Sequence, residues 1–500
     1  MNSPNTMLLF IFLPMATAAL IPVFEKVWKE LVDLLAIIAA LALVVLALSF
    51  STPLAIFGAQ FTNLPEAFQV SQMLCLDRLS LLLVLVINGI GLCALIFSVE
   101  YMRHYGGKPK YYALFMLMLA GMNGVVLAHD LFTLYVFLEV AACSSYALVA
   151  FGLEHDELEA AFKYLVLAAA ASALILLGIA LIYFRTGGLD FGDVSRTIST
   201  QLLRGDVAVI FVILLFLVGF GLKMALVPFH AWLPDAHPSA PAPISAMLSG
   251  VLIKASGVYA LIRIFYNVLG IQALPQVGQT MMALGVLTIV IASLLALVQT
   301  DFKRLLAYSS ISQIGYIMLG FGRGTPLGFV GALYHLMNHA TFKSLLFLVS
   351  GATQQATGTR DLTRMGGLAK RLPITATTSV FGSLAIAGVP PFNGFVSKTV
   401  IVVALVSAGL RNSRALYYWY AAVAVLFSLL TLAYFLKIQR KAFFGQLSAA
   451  FAEAQEVGVA MALPMVLLAV LCVALGVAYP WLYNVLLNPA ANVLASLIVK

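Results

Sequence analysis

Apolar runs of about 17–25 residues, the length an α-helix needs to cross a hydrocarbon core, recur along the whole chain. Fourteen can be marked, near 7–24, 31–51, 78–100, 111–129, 131–152, 162–184, 207–232, 241–265, 278–298, 305–321, 327–350, 373–410, 416–436 and 459–486. Short polar clusters separate them. This pattern predicts an all-α integral membrane protein of about fourteen transmembrane helices. The run at 373–410 is too long for one plain helix and contains VPPFNG, so it is expected to break at its prolines. The first run has neither a basic flank before it nor a small-residue cleavage site after it, and is expected to be a retained helix.

Composition agrees. Of 500 residues 62% are hydrophobic and 10% charged, against about 25% charged in soluble domains. The net charge of +8 would suit a nucleic-acid partner only if it were concentrated on one face or tail. Instead it alternates between loops, the positive-inside pattern of membrane proteins. With the N-terminus outside, the inward loops carry Lys26, Lys29, Arg103, Lys108, Lys110, Lys303, Arg304, Arg360, Arg364, Lys370, Arg371, Lys437, Arg440 and Lys441. The outward loops and helix ends carry half as many: Arg185, Arg196, Arg204, Arg263, Arg323, Arg411 and Arg414. That bias predicts a multi-pass protein of the cell's inner, cytoplasmic membrane with both termini outside. Cys75, Cys93, Cys143 and Cys472 are scattered in or beside apolar runs without a CxxC or His/Cys cluster. They read as packing residues, with no metal cluster or other cofactor expected in this chain.

Two halves of the chain are alike. EAAFKYLVLAAAASALILL at 159–177 resembles NHATFKSLLFLVSG at 338–351, and downstream of each comes a proline-interrupted helix with a lysine beside the break. Lys223 precedes VPFHAWLP and Lys398 follows VPPFNGFVS, an offset of about 175–180 residues. Paired broken helices at corresponding places mark the ion pathway of many transporters. With five helices, an odd number, between the matched elements, the two copies are expected to be inverted. The organisation predicted is helices 1–3 in 1–110, a first repeat in 111–265, a second in 278–441 and a last helix in 459–500.

The informative residues are the charges inside apolar runs. Such a group costs about 2.5–3.5 kcal/mol on insertion scales, so it is paired, hydrated or functional. Glu139 lies well inside its run with no local basic partner; it serves either helix packing or a pairing with one of the buried lysines. Lys223 is too far from the start of its run to snorkel, and Pro228 after it opens the helix to water or a side chain. Lys254, about fourteen residues into its helix, and Lys398, beside the second break, follow the same argument. Lys163 and Lys343 are expected within the first turn or two of their helices, where snorkelling competes. His335 and His339 share a helix face. No carboxylate or cysteine accompanies them, so proton relay suits them better than metal binding, with structural hydrogen bonding the alternative. His230, Asp235 and His237 flank the first break and either line a funnel or cap helix ends. Two unit charges about 6 Å apart interact by roughly 3 kcal/mol at an effective dielectric of 20. A row of such groups can therefore hand a proton along.

The run LKMALVPFHAWLPDAHPSAPAPISAMLSGVLIKASGVYALIR resembles the signature of the antiporter-like membrane subunits shared by respiratory complex I, Mrp cation/proton antiporters and membrane-bound hydrogenases. DLFTLYVFLE ending at Glu139, QTDFKRLLAYSSISQIGYIMLG at 299–320, ALYHLMNHATFKSLLFL at 332–348 and GVPPFNGFVSK at 388–398 extend the resemblance over nearly the whole chain. It implies a fourteen-helix core with two inverted five-helix repeats. It also implies a pairing of Glu139 with Lys223, a connecting role for Lys254, a far gate at Lys398 and a place for His335 on the same axis, with His339 nearby. Lysine at 398 is unlike the M-type complex I subunit, and the absence of a long lateral helix is unlike the L-type. An N-type complex I subunit or a D-type Mrp subunit is the closer match. The function expected is proton or cation translocation, without chemistry of its own, inside a redox-driven complex with other membrane subunits and peripheral redox subunits. The alternatives are a D-type component of a Na⁺/H⁺ antiporter without redox chemistry, or a scaffold whose charges only pin helices.

Overall fold

The computed structural model describes residues 4–27, 31–51, 67–71, 73–203 and 206–496; Lys29 and Arg204 lie outside them. Helices α1 (Leu9–Val27) and α2 (Val32–Phe50) precede a two-stranded antiparallel hairpin, β1 (Ala67–Ser71) and β2 (Leu74–Asp77). Then come α3 (Arg78–Tyr101), α4 (Lys108–Leu127), α5 (Leu131–Val149), α6 (His155–Thr186), α7 (Phe191–Leu203), α8 (Val207–Lys223) and α9 (Leu233–Ser239). The second half holds α10 (Ala242–Val268), α11 (Pro275–Val298), α12 (Phe302–Gly322), α13 (Pro326–Thr357), α14 (Pro373–Ala387), α15 (Asn393–Asn412), α16 (Ala415–Ile438), α17 (Val459–Val477) and α18 (Asn488–Ala495).

The protein is an all-α membrane protein. Among the described residues twelve helices are long and apolar enough to cross a bilayer, and two shorter apolar ones, α8 and α14, are the leading halves of the broken helices. The run at 373–410 is two helices, as its prolines require. Helix α7 was not legible in the hydrophobic pattern, because its thirteen residues are amphipathic and not wholly apolar. Helices apolar on every side are either enclosed or in contact with lipid. Helices α10, α12 and α13 are enclosed, whereas α1, α2, α6 and α16 turn large side chains such as Phe12, Val45, Phe184 and Leu426 outward.

The two halves match at several backbone positions. Asp130 bridges Asp190 as Asp301 bridges Asp361. Leu131 N donates to the Leu189 carbonyl at 3.0 Å, and Phe302 N to the Arg360 carbonyl at 3.0 Å. Helices α6 and α13 both have 32 residues and end on a left-handed glycine, Gly187 and Gly358. Just before these, Thr186 and Thr357 make the same two backbone bonds. Every pair is separated by 171 positions, not the 175–180 read from the lysines. At this offset Lys343 corresponds to Ser172, not to Lys163. The look-alike Ala-x-x-Lys segments sit at different heights on their helices.

Two basic residues change places. Arg263, read as an outward helix end, is buried inside α10 and forms an ion pair with Asp77 at 2.7 Å. Its guanidinium also bonds Ser80, Tyr259 and Asn267. Lys303, read as an inward loop residue, is 2% exposed and donates to the Ala240 carbonyl at 2.8 Å.

Candidate ion pathway

The first break follows Lys223. Helix α8 stops there, Ala225 takes a left-handed conformation at φ 57°, and the chain turns through Pro228 before α9. The Leu222 carbonyl accepts from Trp232 Nε1 at 3.0 Å, and Val227 N donates to Thr288 Oγ1 at 3.2 Å. Side chains thus occupy the places the broken ladder leaves. Lys223, held at the edge of this break, points to α5 and donates to Glu139 Oε1 at 3.3 Å. Glu139 also accepts from the Ser172 hydroxyl of α6. The lysine side chain is 4% exposed and the carboxylate 31%.

Helix α10 passes directly behind the break. Gly257 allows this approach: a Cβ there would lie 2.9 Å from the Met224 backbone. Much of α10 is wound as π-helix, including Leu248–Leu252 and Lys254–Tyr259, a form found in short pieces at functional sites. Its wider turn frees carbonyls, and wholly buried Lys254 turns back to that of Ser249. From there a continuous string leads into the second half. Ser249 Oγ meets Ser310 Oγ at 2.7 Å, and Ser310 donates to the Leu306 carbonyl at 2.9 Å. That carbonyl also accepts from Lys343 Nζ at 2.8 Å, and Lys343 bonds Ser309 as well.

Lys343 lies near the middle of α13 and is wholly buried, so snorkelling does not account for it. One and two turns before it on the same face stand His339 and His335. His335 is bracketed by Ser397 Oγ at 3.0 Å and Gln313 Oε1 at 3.1 Å, whereas both ring nitrogens of His339 are without a partner among the described residues. Ser397 is the neighbour of Lys398. Lys398 donates to the Ile386 carbonyl at 2.7 Å, one of those freed by the second break, and to Ser428 Oγ at 3.0 Å. Its ammonium lies 4.8 Å from the Tyr316 ring centre, a cation–π contact.

The structure therefore groups Glu139 with Lys223, Lys254 with Lys343, and His335 with the Lys398 end, His339 standing between the last two groups. Lys163 is elsewhere. It is 47% exposed and paired with Glu159 at 2.8 Å and Asp235 at 3.2 Å. His230 is half-buried, 6.5 Å from the Tyr308 ring. Sequence reading gave too little weight to His237. It is wholly buried and stacked 4.4 Å from Phe347, with both nitrogens unpartnered among the described residues and with Lys343, Lys303 and Lys254 as its charged neighbours. The proline-rich stretch around it suits a funnel lining and helix caps equally well, so nothing in the sequence singles it out. Among the described residues the one metal-capable trio, His155, Asp156 and Glu159, is exposed, and its Glu159 is the ion-pair partner of Lys163.

Residues 128–416 match the family described as NADH:quinone oxidoreductase/Mrp antiporter, TM, and residues 63–112 match the N-terminal family of complex I chain 5. The chain is 38% identical to the N-type subunit of NADH-quinone oxidoreductase from Desulforudis audaxviator over 74% of its length and 72% of that protein's. It is 36% identical to the D-type component of the Na(+)/H(+) antiporter from Alkalihalophilus pseudofirmus over 84% and 83%. A chain of the archaeal membrane-bound sulfane sulfur reductase, a respiratory membrane complex, superposes with a TM-score of 0.86 at 30% identity, covering 98% of each chain.

Proposed function

The chain belongs to the NADH:quinone oxidoreductase/Mrp antiporter transmembrane family, and from that premise we propose how it moves cations. It is the ion-translocating membrane subunit of a redox-driven respiratory complex. Protons pass along Glu139, Lys223, Lys254, Lys343, His339, His335 and Lys398, with Lys163 and His230 at the flank beside the first break. The observation that carries this is the Glu139–Lys223 ion pair at the edge of a helix break, continued by buried lysines that have no counter-ion among the described residues. A lysine that has only carbonyl and hydroxyl acceptors gains little from staying charged, so each can pass its proton on. The chain itself supplies no redox group in this reading; energy arrives from neighbouring subunits through charge.

Glu139 supports a neighbouring subunit. A carboxylate left one-third uncovered on a membrane helix is costly against lipid, and a partner's polar groups would cover it. Peripheral redox subunits complete the assembly proposed. The likeness to the D-type antiporter component favours a second reading, cation exchange driven by gradients alone.

Two measurements decide. Purification of the intact complex in mild detergent, with mass spectrometry of its partners, should recover redox subunits; a set of small membrane proteins alone selects the antiporter. In proteoliposomes, Lys223→Ala should abolish coupled ion movement while leaving assembly intact, and normal pumping by that variant would overturn the pathway.

A further inference from the structure

Beside the path lies a polar cluster that no step above uses. Asn338, next to His339 on α13, donates through Nδ2 to the Asn393 carbonyl at 3.0 Å, where the chain re-enters helix after the second break. Both residues are wholly buried. Yet Asn338 Oδ1, both side-chain amide atoms of Asn393 and both nitrogens of His339 lack a protein partner among the described residues. Buried amides are nearly always satisfied, and a buried water typically makes two to four such bonds. These orphan donors and acceptors have the chemistry of a water site.

A route leads away from it. Tyr334 lies one turn before Asn338 on α13, and its hydroxyl donates to the Leu475 carbonyl of α17 at 2.6 Å. Its ring centre is 5.1 Å from that of Tyr479, which is partly exposed and 6.2 Å from Tyr483. Gly476 lets α17 come this close, since a Cβ there would lie 2.8 Å from Asn393 N. Tyr334 follows the helix start at Pro326 by eight residues, about 12 Å of rise.

We propose that Asn338 and Asn393 hold ordered water and open a side branch of the ion path. The branch runs from His339 past Tyr334 and Tyr479 to the membrane face at which α13 begins, apart from the Lys398–Ser428 end. It rests on reading the buried groups as an ion path, but its hydration can be measured without transport.

The test uses the assembled complex with Cys75, Cys93, Cys143 and Cys472 replaced by alanine, into which Asn338→Cys or Asn393→Cys is introduced. Methanethiosulfonate reagents attack thiolate, which forms only where water reaches. Both cysteines should react about tenfold or more faster than a Leu346→Cys control, at a buried apolar position of the same helix. A membrane-impermeant reagent should reach them from the face where α13 begins and not from the other. Rates equal to the control, or access only from the opposite face, overturn the branch. If Asn393→Cys does not assemble, Asn338→Cys, in the middle of a regular helix, decides. Dry cysteines alongside a dead Lys223→Ala complex sink the branch alone, whereas normal pumping by Lys223→Ala sinks the path beneath it.

Discussion

Replacing Glu139 by glutamine removes one charge and almost nothing else. Glutamine has nearly the same volume, and its carbonyl oxygen can still accept from Ser172 and Lys223. What disappears is the attraction across 3.3 Å between Glu139 and Lys223. That attraction is about 5 kcal/mol at an effective dielectric of 20 and about 1.3 kcal/mol in bulk water. With the lysine 4% and the carboxylate 31% exposed, screening places the loss between these limits. A value of about 3 kcal/mol is roughly a hundredfold in the equilibrium that holds the charged pair together. Coupled proton uptake by proteoliposomes of the purified complex, followed with a pH-sensitive dye, should therefore fall by about two orders of magnitude, while a native gel shows assembly unchanged. Glu139→Asp, which keeps the charge on a shorter stem, should retain part of the rate. Wild-type uptake by Glu139→Gln would refute the claim that the pair's electrostatics drive transfer.

Three further outcomes follow from the geometry. Lys254→Met keeps the bulk of a wholly buried side chain but removes its ammonium, so transport should be lost in an assembled complex; retained transport would show that the string through Ser249 and Ser310 is not used. Asp77→Asn leaves Arg263 buried without its counter-charge, a change that costs about 3–5 kcal/mol in such pairs. Thermal unfolding in detergent should occur at a markedly lower temperature, and an unchanged transition would contradict the buried pairing. Lys163→Ala breaks ion pairs at the exposed surface, worth about 0.2–1 kcal/mol, and should slow transport several-fold less than Lys254→Met does. Equal losses would place Lys163 on the main path.

The membrane class, most helices and the charged core of the site were legible because a charge within a run of leucines and valines has few innocent explanations. Glu139, Lys223, Lys254 and Lys398 stand out for that reason, and their pairing or placement beside a break followed. Lys343 was ambiguous because the matched segment at 338–351 places it near a helix start, whereas α13 begins at Pro326. Lys303 and Arg263 were misplaced by the same cause. Both lie near the end of an apolar run, where sequence cannot distinguish a side chain turned to water from one folded inward onto Ala240 or Asp77. The offset of 171 escaped because its evidence is in backbone bonds at Asp130, Asp190, Asp301 and Asp361, which leave no apolar signature. The π-winding of α10 has no periodic signal at all in a stretch apolar on every side.

That winding bears on how Lys254 can move. A backbone amide in a π-turn bonds five residues back; if it shifts to the carbonyl four back, the coil tightens locally. Residues between two such turns then swivel by up to about 100°, one residue's worth of helix rotation, although neither end of α10 travels. Lys254 opens the second of these loosened turns, separated from the first by one residue. A local exchange of bonding partners at that junction would re-aim its ammonium. An exchange of that kind would give the protein a pivot within one helix, without a shift of the surrounding bundle.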